Sequence, residues 1–467
     1  LEAWADAEAA EKRLPGVSMA VVHDQQLLWS RGFGYAHLES KVPAAPDTMY
    51  SICSISKLFT SVAVMQQRDA GKLDLDDPVA KHLPWFRIKG AETGSSPVTV
   101  RGILTHSSGL PRESDFPYWT GPAYAFPPRD KVVSRVSEQE MLFRSDLLYQ
   151  YSNLGLTLAG EIVAATSGLP FEAYVRKRIL DPIGLKDTET EHLDKHRGGR
   201  LASGYTAPRR DGSRERVPPY QVRGIGPAAG FTSTVEDLGR FASWQLRVLA
   251  GEGDGVLDAD TLREMQRVQW MDPDWKTSRG LGFAIWRSGE QTFVGHGGYC
   301  PGYQSQLLLQ PAAKVATVFM TNSNGIDSRA FAQTAYDIVA PALKQAVENP
   351  GAAKPHDPAL ARYTGRYDSW LAGETWIVPW DDGLALIELP SSRPMADLVK
   401  LRPVGEHRFR RIRDDGGLAE EPRPARPARG ECAVGGDQLA VELVRERGED
   451  RIVDGEPVAC GDRDGVA

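Results

Sequence analysis

Ser54 and Lys57 stand three residues apart in Tyr50-Ser51-Ile52-Cys53-Ser54-Ile55-Ser56-Lys57-Leu58-Phe59-Thr60. Apolar residues then recur at Leu58, Val62 and Met65, a helical spacing that Gly71 closes. Positions three apart share a helix face, so the two side chains are expected to be neighbours. A serine hydroxyl is a poor nucleophile until a base takes its proton. Lysine is that base only when burial or nearby charge lowers its proton affinity. At a first turn, Ser54 would also meet unpaired backbone N–H groups that favour developing negative charge. The spacing alone fits an ordinary surface Ser and Lys equally well, so the rest of the chain decides. A phenol is the next candidate. Tyr151 lies in Leu148-Tyr149-Gln150-Tyr151-Ser152-Asn153, ahead of the apolar run 154–163, which reads as a buried helix capped by Asn153. Such a tyrosine either reaches a site or fills a core.

Other chemistry-bearing types are weaker. His106, in Leu104-Thr105-His106-Ser107-Ser108-Gly109-Leu110, is read as fixing a polar turn rather than as a catalyst. His192 and His196 are four apart, but Leu-Asp-Lys lies between them where a zinc protease would carry glutamate, so no metal is expected. Cys53, Cys300, Cys432 and Cys460 are far apart with no Cys-x-x-Cys, which argues against a thiolate zinc site and leaves disulfides possible but not indicated. Cys53 is read as packing.

The 467 residues carry 55 basic and 62 acidic side chains, a net charge of −7, which gives no case for nucleic acid or an anionic membrane. No run of eighteen apolar residues suggests a membrane span. The chain begins Leu1-Glu2-Ala3, for which a removed leader is one explanation, and leaves a periplasmic, secreted or cytoplasmic location open.

The elements that must position these groups follow from pattern. Residues 2–12 read as a helix, and 17–22 with 27–35 as a hairpin turned at 24–26. Thr234 with Asp237 opens a helix through Val248. Strands are expected at 281–286, 292–299, 304–309 and 315–320, then a helix over 329–347. The prediction is an α/β fold: a central antiparallel sheet sandwiched by helices, with an added helical region, over 1–348. Residues 349–358 read as a Pro/Gly/Ala linker, and 359–467 as a small C-terminal antiparallel β-barrel. The aromatic and proline-rich stretch 115–128 suits a stiff loop, with Phe116, Tyr118, Trp119, Tyr124 and Phe126 walling an apolar pocket. The Arg/Pro stretch within 416–430 is read as a mobile loop.

Taken together, the chain resembles the serine beta-lactamase and penicillin-binding-protein superfamily, nearest the class C beta-lactamase-like branch with its esterase, D-aminopeptidase and D-Ala-D-Ala carboxypeptidase relatives. Ser54-Ile55-Ser56-Lys57 matches the first family motif, Tyr151-Ser152-Asn153 the second, and His296-Gly297-Gly298 the third in its His-x-Gly form. Three further stretches, 15–34, 104–110 and 302–322, are similar to family landmarks, and the likeness covers about residues 10–345. The resemblance implies an acyl-enzyme on Ser54, with Lys57 and Tyr151 moving protons. It implies that Asn153, His296 and Gly298 orient the substrate and that the Ser54 and Tyr299 N–H groups form an oxyanion hole. It also implies a lipocalin-like character for the tail barrel. Ester, small-amide or short-peptide substrates are expected, with no cofactor and with a homo-oligomer possible. His296 in place of lysine, only partly charged near neutrality, and Gly297 in place of threonine weaken the case for beta-lactams. A D-residue peptidase, a weak beta-lactamase and a non-catalytic scaffold are the competing readings.

Overall fold

The computed structural model describes residues 1–91, 96–114, 118–253, 255–351, 357–369, 373–381, 383–405, 407–413, 415–419, 440–446 and 449–454. It divides into two compact units, Lys12–Tyr336 and a second made of Leu1–Glu11 with Asp337–Ala467. Of the expected linker 349–358, residues 352–356 lie outside the described residues, as do most of 416–430.

The first unit is built on a nine-stranded sheet. Its order is Val42–Pro43, Gln26–His37, Gly16–His23, Val315–Thr321, Tyr303–Gln310, Gln291–Cys300, Ala284–Ser288, Ser278–Arg279, Trp270–Met271. Every neighbouring pair is antiparallel. The expected N-terminal hairpin forms, and Val17 pairs with Thr321, so the start and end of the unit meet at its centre. The two central strands, Gly16–His23 and Val315–Thr321, are buried almost throughout, because helices cover both faces. On one face Phe319 stacks on Phe331 of the Ser328–Glu348 helix, ring centroids 4.5 Å apart. On the other, Ala20, Val22, Ala316 and Val318 join the main core with the helices Ser56–Asp69, Asn153–Ser167 and Val235–Leu249. Phe59 is the hub there, its ring 5.3 Å from Phe231 and 4.4 Å from Phe241.

Local signals explain several element ends. Thr234 caps its helix through a 3.1 Å bond from the Asp237 N–H, while Asp237 turns to Asp187, Thr188 and Arg240 instead of reaching back. The Asn153 helix is capped one residue earlier than expected: Ser152 Oγ accepts the Gly155 N–H at 2.9 Å. Asn153 is thereby released for other bonds. The strand expected from 281 begins at Ala284, because Gly282 adopts φ +84° and lies against the Ser56–Asp69 helix. A Cβ there would fall 2.1 Å from Ser61 Oγ.

The second unit has its own core of Leu360, Tyr363, Tyr367, Ile377, Leu384, Leu401 and Phe409. Its strands, Gly365–Ser369, Gly373–Trp380, Gly383–Leu389, Val399–Gly405, Arg408–Arg411, Ala440–Glu446 and Glu449–Asp454, pair in sequence order as an antiparallel meander. The expected antiparallel barrel is corrected. Seven meandering strands leave the first and last running the same way, and these two meet at one parallel pair, Asp368 with Arg451. An antiparallel barrel needs a continuous closing ladder, and a single parallel bridge does not supply one.

Candidate active site

Ser54 sits in a short 3₁₀ turn, Cys53–Ile55, that runs directly into the Ser56–Asp69 helix. Local bonds set this entry. Ser56 Oγ donates to Cys53 O at 2.5 Å and accepts from Phe231 N at 3.0 Å. Ile52 N donates to Phe231 O at 2.9 Å. One turn on, Lys57 is fully buried. Its Nζ lies 3.1 Å from Ser54 Oγ, 2.7 Å from Asn153 Oδ1 and 2.7 Å from Ala228 O. Burial lowers the proton affinity of this amine well below that of an ordinary lysine; Glu113 opposes the shift, and Arg112 and Arg279 add to it. A neutral amine has two N–H groups and one lone pair. All three partners accept from Nζ as bonded here, and loss of one proton would turn the lone pair to the Ser54 hydroxyl.

Tyr151 lies over the same amine, with Nζ 4.8 Å from the ring centroid, and its hydroxyl interacts with that of Ser54. Burial raises the proton affinity of this phenol far above the usual value, with the Ser54 bond pulling the other way, so it rests protonated. His106 holds Tyr151 in place. Its ring is 4.4 Å from the Tyr151 ring, its Nδ1 accepts the Ser152 N–H at 3.1 Å, and its carbonyl accepts the Gln150 N–H at 2.7 Å. The loop-fixing reading of His106 is the one its bonds bear out. Its Nδ1 accepts, so the ring is neutral, and burial drives its pKa well down.

Asn153 bridges the lysine to Glu113, its Nδ2 donating to Glu113 Oε1 at 2.5 Å. Glu113 also accepts from the Tyr118 hydroxyl at 2.5 Å. The carboxylate fixes which way the amide points, so Oδ1 faces Lys57. Sequence reading missed Glu113, and nothing in its neighbours singles it out.

His296 occupies the Gln291–Cys300 strand and is buried. Its Nδ1 lies 2.7 Å from Gly297 O, an acceptor, so Nδ1 carries the proton. Nε2 is then a bare acceptor, buried and without a protein partner. Burial, then Lys57 and Arg279, depress its pKa to about 3. That direction favours the neutral ring over the partial charge expected near neutrality.

Gly298 lets this strand approach the Ser54 turn: a Cβ would fall 2.2 Å from Ile52 O and from Ser305 Oγ. Cys300 and Tyr303 close a two-residue hairpin as its bonded pair. Tyr299, opposite Gln304, is then in a non-bonded pair, and its N–H points to the other edge, where the Ser54 turn lies. Cys53 and Cys300 form a disulfide with Cα atoms 5.8 Å apart, a correction to the packing reading of Cys53. A separation of 247 residues gave the sequence no means of pairing them.

Ser54, Tyr151, His296, Gly298 and Tyr299 line one open cleft of about 610 Å³ with Arg112, Tyr149, Gln304 and Asp327. Lys57 and Asn153 lie beneath its floor. Among the described residues, none of the stretch's aromatics lines the cleft. Tyr118 and Phe126 are buried together, ring centroids 5.0 Å apart, and Trp119 packs 4.9 Å from Phe126. Tyr124 and Phe126 line a separate surface cleft with Tyr220, and Phe116 lies outside the described residues. Among the described residues no group of three His, Cys, Asp or Glu could hold a metal ion, and no single helix is long and apolar enough to cross a membrane.

An antiparallel sheet between helices, with these three motifs converging on one cleft, defines the serine beta-lactamase and penicillin-binding-protein architecture. The Beta-lactamase family profile matches residues 1–340, and the chain belongs to that family. It is 26% identical over 347 residues to Beta-lactamase-like protein 2 of Dictyostelium discoideum, covering 73% of this chain and 62% of that protein. The chain thus spans under two thirds of that relative's length. It is 29% identical to penicillin-binding protein 4 of Amycolatopsis lactamdurans, covering 68% of this chain and 83% of that one. Among solved structures, the octameric penicillin-binding protein homologue of Pyrococcus abyssi superposes with TM-score 0.63 at 25% identity, over 89% of this chain and 94% of that one. The D-amino acid amidase of Ochrobactrum anthropi SV3 gives 0.58 at 25% identity, over 74% and 96%.

Proposed function

We propose that this chain is a serine hydrolase that cleaves carboxylic esters or small amides through an acyl-enzyme on Ser54. The observation that carries the reading is the contact between Lys57 Nζ and Ser54 Oγ, 3.1 Å, made by a buried amine whose other two partners are carbonyl oxygens. In acylation Ser54 Oγ bonds to the substrate carbonyl carbon and its proton passes to Lys57. The carbonyl oxygen takes the developing charge between the N–H groups of Ser54 and Tyr299. As the C–O or C–N bond breaks, the Tyr151 phenol gives its proton to the leaving alcohol or amine and recovers one from Lys57. Water, deprotonated by the same pair, then releases the acid.

A second reading, hydrolysis of D-amino-acid amides or short D-peptides, has its own support. A neutral His296 offers a lone pair rather than a cation, and Asp327 shares the cleft with Arg112, so the site offers acceptors to substrate N–H groups beside one cation. The amidase likeness at 25% identity fits that chemistry. The same neutrality at His296 counts against beta-lactams. A panel of p-nitrophenyl esters, D-alanine p-nitroanilide and nitrocefin tests these readings. We expect turnover of an ester or the anilide, abolished in Ser54→Ala. Nitrocefin as the substrate most accelerated over its uncatalysed rate would overturn the preference, and activity retained in Ser54→Ala would overturn the mechanism.

A further inference from the structure

We propose that the Cys53–Cys300 disulfide is a positioning element of the oxyanion hole, holding the N–H groups of Ser54 and Tyr299 at the spacing that acyl transfer requires. The inference rests on the serine-hydrolase reading above. Each half-cystine immediately neighbours one donor: Cys53 precedes Ser54, and Cys300 follows Tyr299. The donors belong to different elements, a 3₁₀ turn and a sheet strand, that are far apart in sequence. No backbone ladder joins them, because the strand pairs on its other side with Tyr303–Gln310 and is flanked by Ala284–Ser288 only as far as Gly295.

The backbone on either side of the bridge is held less directly. Cys53 takes the left-handed conformation, φ +49°, which aims the following residue out of the turn. Ser305 Oγ donates to Ile52 O at 3.1 Å, and Gly298 allows close approach there, so contact is set two residues before the nucleophile. The disulfide carries that registration through to the donors themselves. An oxyanion hole works only when both donors are aimed at the place the charge will occupy. An ångström of drift between turn and strand removes one of them. Both sulfurs are buried, with Ser51 Oγ 3.4 Å from Cys300 Sγ and bonded at 3.0 Å to His192 Nε2. Substitution, rather than added reductant, is therefore the clean test.

The pair Cys53→Ser with Cys300→Ser removes the bond with a near-isosteric polar replacement, and Cys53→Ala with Cys300→Ala removes it without adding hydroxyls to the buried site. Non-reducing peptide mapping of the wild type should show the two cysteine peptides joined. Wild type and variants are then compared for the rate of Ser54 labelling by a fluorophosphonate and for kcat and KM on the ester that is turned over, at a temperature where melting curves show all folded. We expect labelling and kcat to fall at least tenfold in both variants with KM within about twofold. A role in stability alone would lower the melting temperature and leave both rates unchanged. Equal rates in the folded variants, or separate cysteine peptides in the wild type, would overturn this proposal and leave the hydrolase reading standing. A wild-type Ser54 that does not label would end both.

Discussion

Burial, rather than anything it touches, lowers the proton affinity of Lys57. Of its partners two are neutral carbonyl groups and one is the Ser54 hydroxyl, so desolvation is not repaid by an ion pair. The free amine is the form that takes a proton, so activity should rise with pH through a Lys57 pKa lowered from the ordinary lysine value and level off above it. A kcat/KM profile still climbing between pH 9 and 10 would contradict this, since an unperturbed lysine titrates near ~10.4. His296 adds no inflection there, its pKa lying at about 3. Buried histidines leave a mark on stability instead. Below ~6.5 the unfolded chain protonates its histidines, whereas His192, held down by burial and Arg197, does so only at about 4. The unfolded state therefore binds more protons in that window, and stability falls as pH drops through it, by about 1.4 kcal/mol per unit for each such group. His192→Gln should flatten the fall in melting temperature between pH 6.5 and 4; an unchanged slope would refute it. Ser54, Lys57 and Tyr151 were legible because their types and spacing are chemical signals. Glu113 and the protonation state of His296 were not, since both depend on what folds around them.

Elements converge on the cleft through short polar contacts at their ends. Ser152 does two jobs there: its hydroxyl caps the Asn153–Ser167 helix, and its N–H is fixed by His106 next to Tyr151. Ser152→Ala should cost about 1 kcal/mol of stability, as lost N-caps do, and should lower kcat because the same hydroxyl, next to Tyr151, also ties this turn to Pro111 O at 2.7 Å. Thr234→Ala, which removes a cap on the Val235–Leu249 helix, should cost a similar ~1 kcal/mol with kcat unchanged. Thermal melts beside steady-state rates separate the two. Equal kcat in both variants would show that the cap does not serve the phenol. Periodicity located these helices and the sheet strands, since alternating and helical patterns register burial directly. It placed the cap at Asn153 because serine and asparagine serve equally well there. The Ala284 strand start depended on the contact between Gly282 and Ser61, which no local pattern carries.

At the scale of the whole chain, the disulfide closes a loop of 247 residues within the first unit. Closing so long a loop restricts the unfolded chain, an effect of roughly 2–5 kcal/mol in most proteins. Breaking it by substitution should lower the melting temperature of that unit by several degrees, and no shift would contradict the account. The pairing was invisible because distance in sequence says nothing about distance in the fold. The tail shows the converse. Short strands between turns predicted a barrel, and most of the strands are there, but closure depends on strand number and direction, which spacing does not report.

The central claim is that Ser54 is a nucleophile activated by Lys57, and intact-mass analysis after fluorophosphonate treatment tests it most directly. The account predicts one adduct per chain, mapped to Ser54, absent in Ser54→Ala and formed far more slowly in Lys57→Ala. An adduct mapped elsewhere, or a folded wild type that gains none, would contradict it.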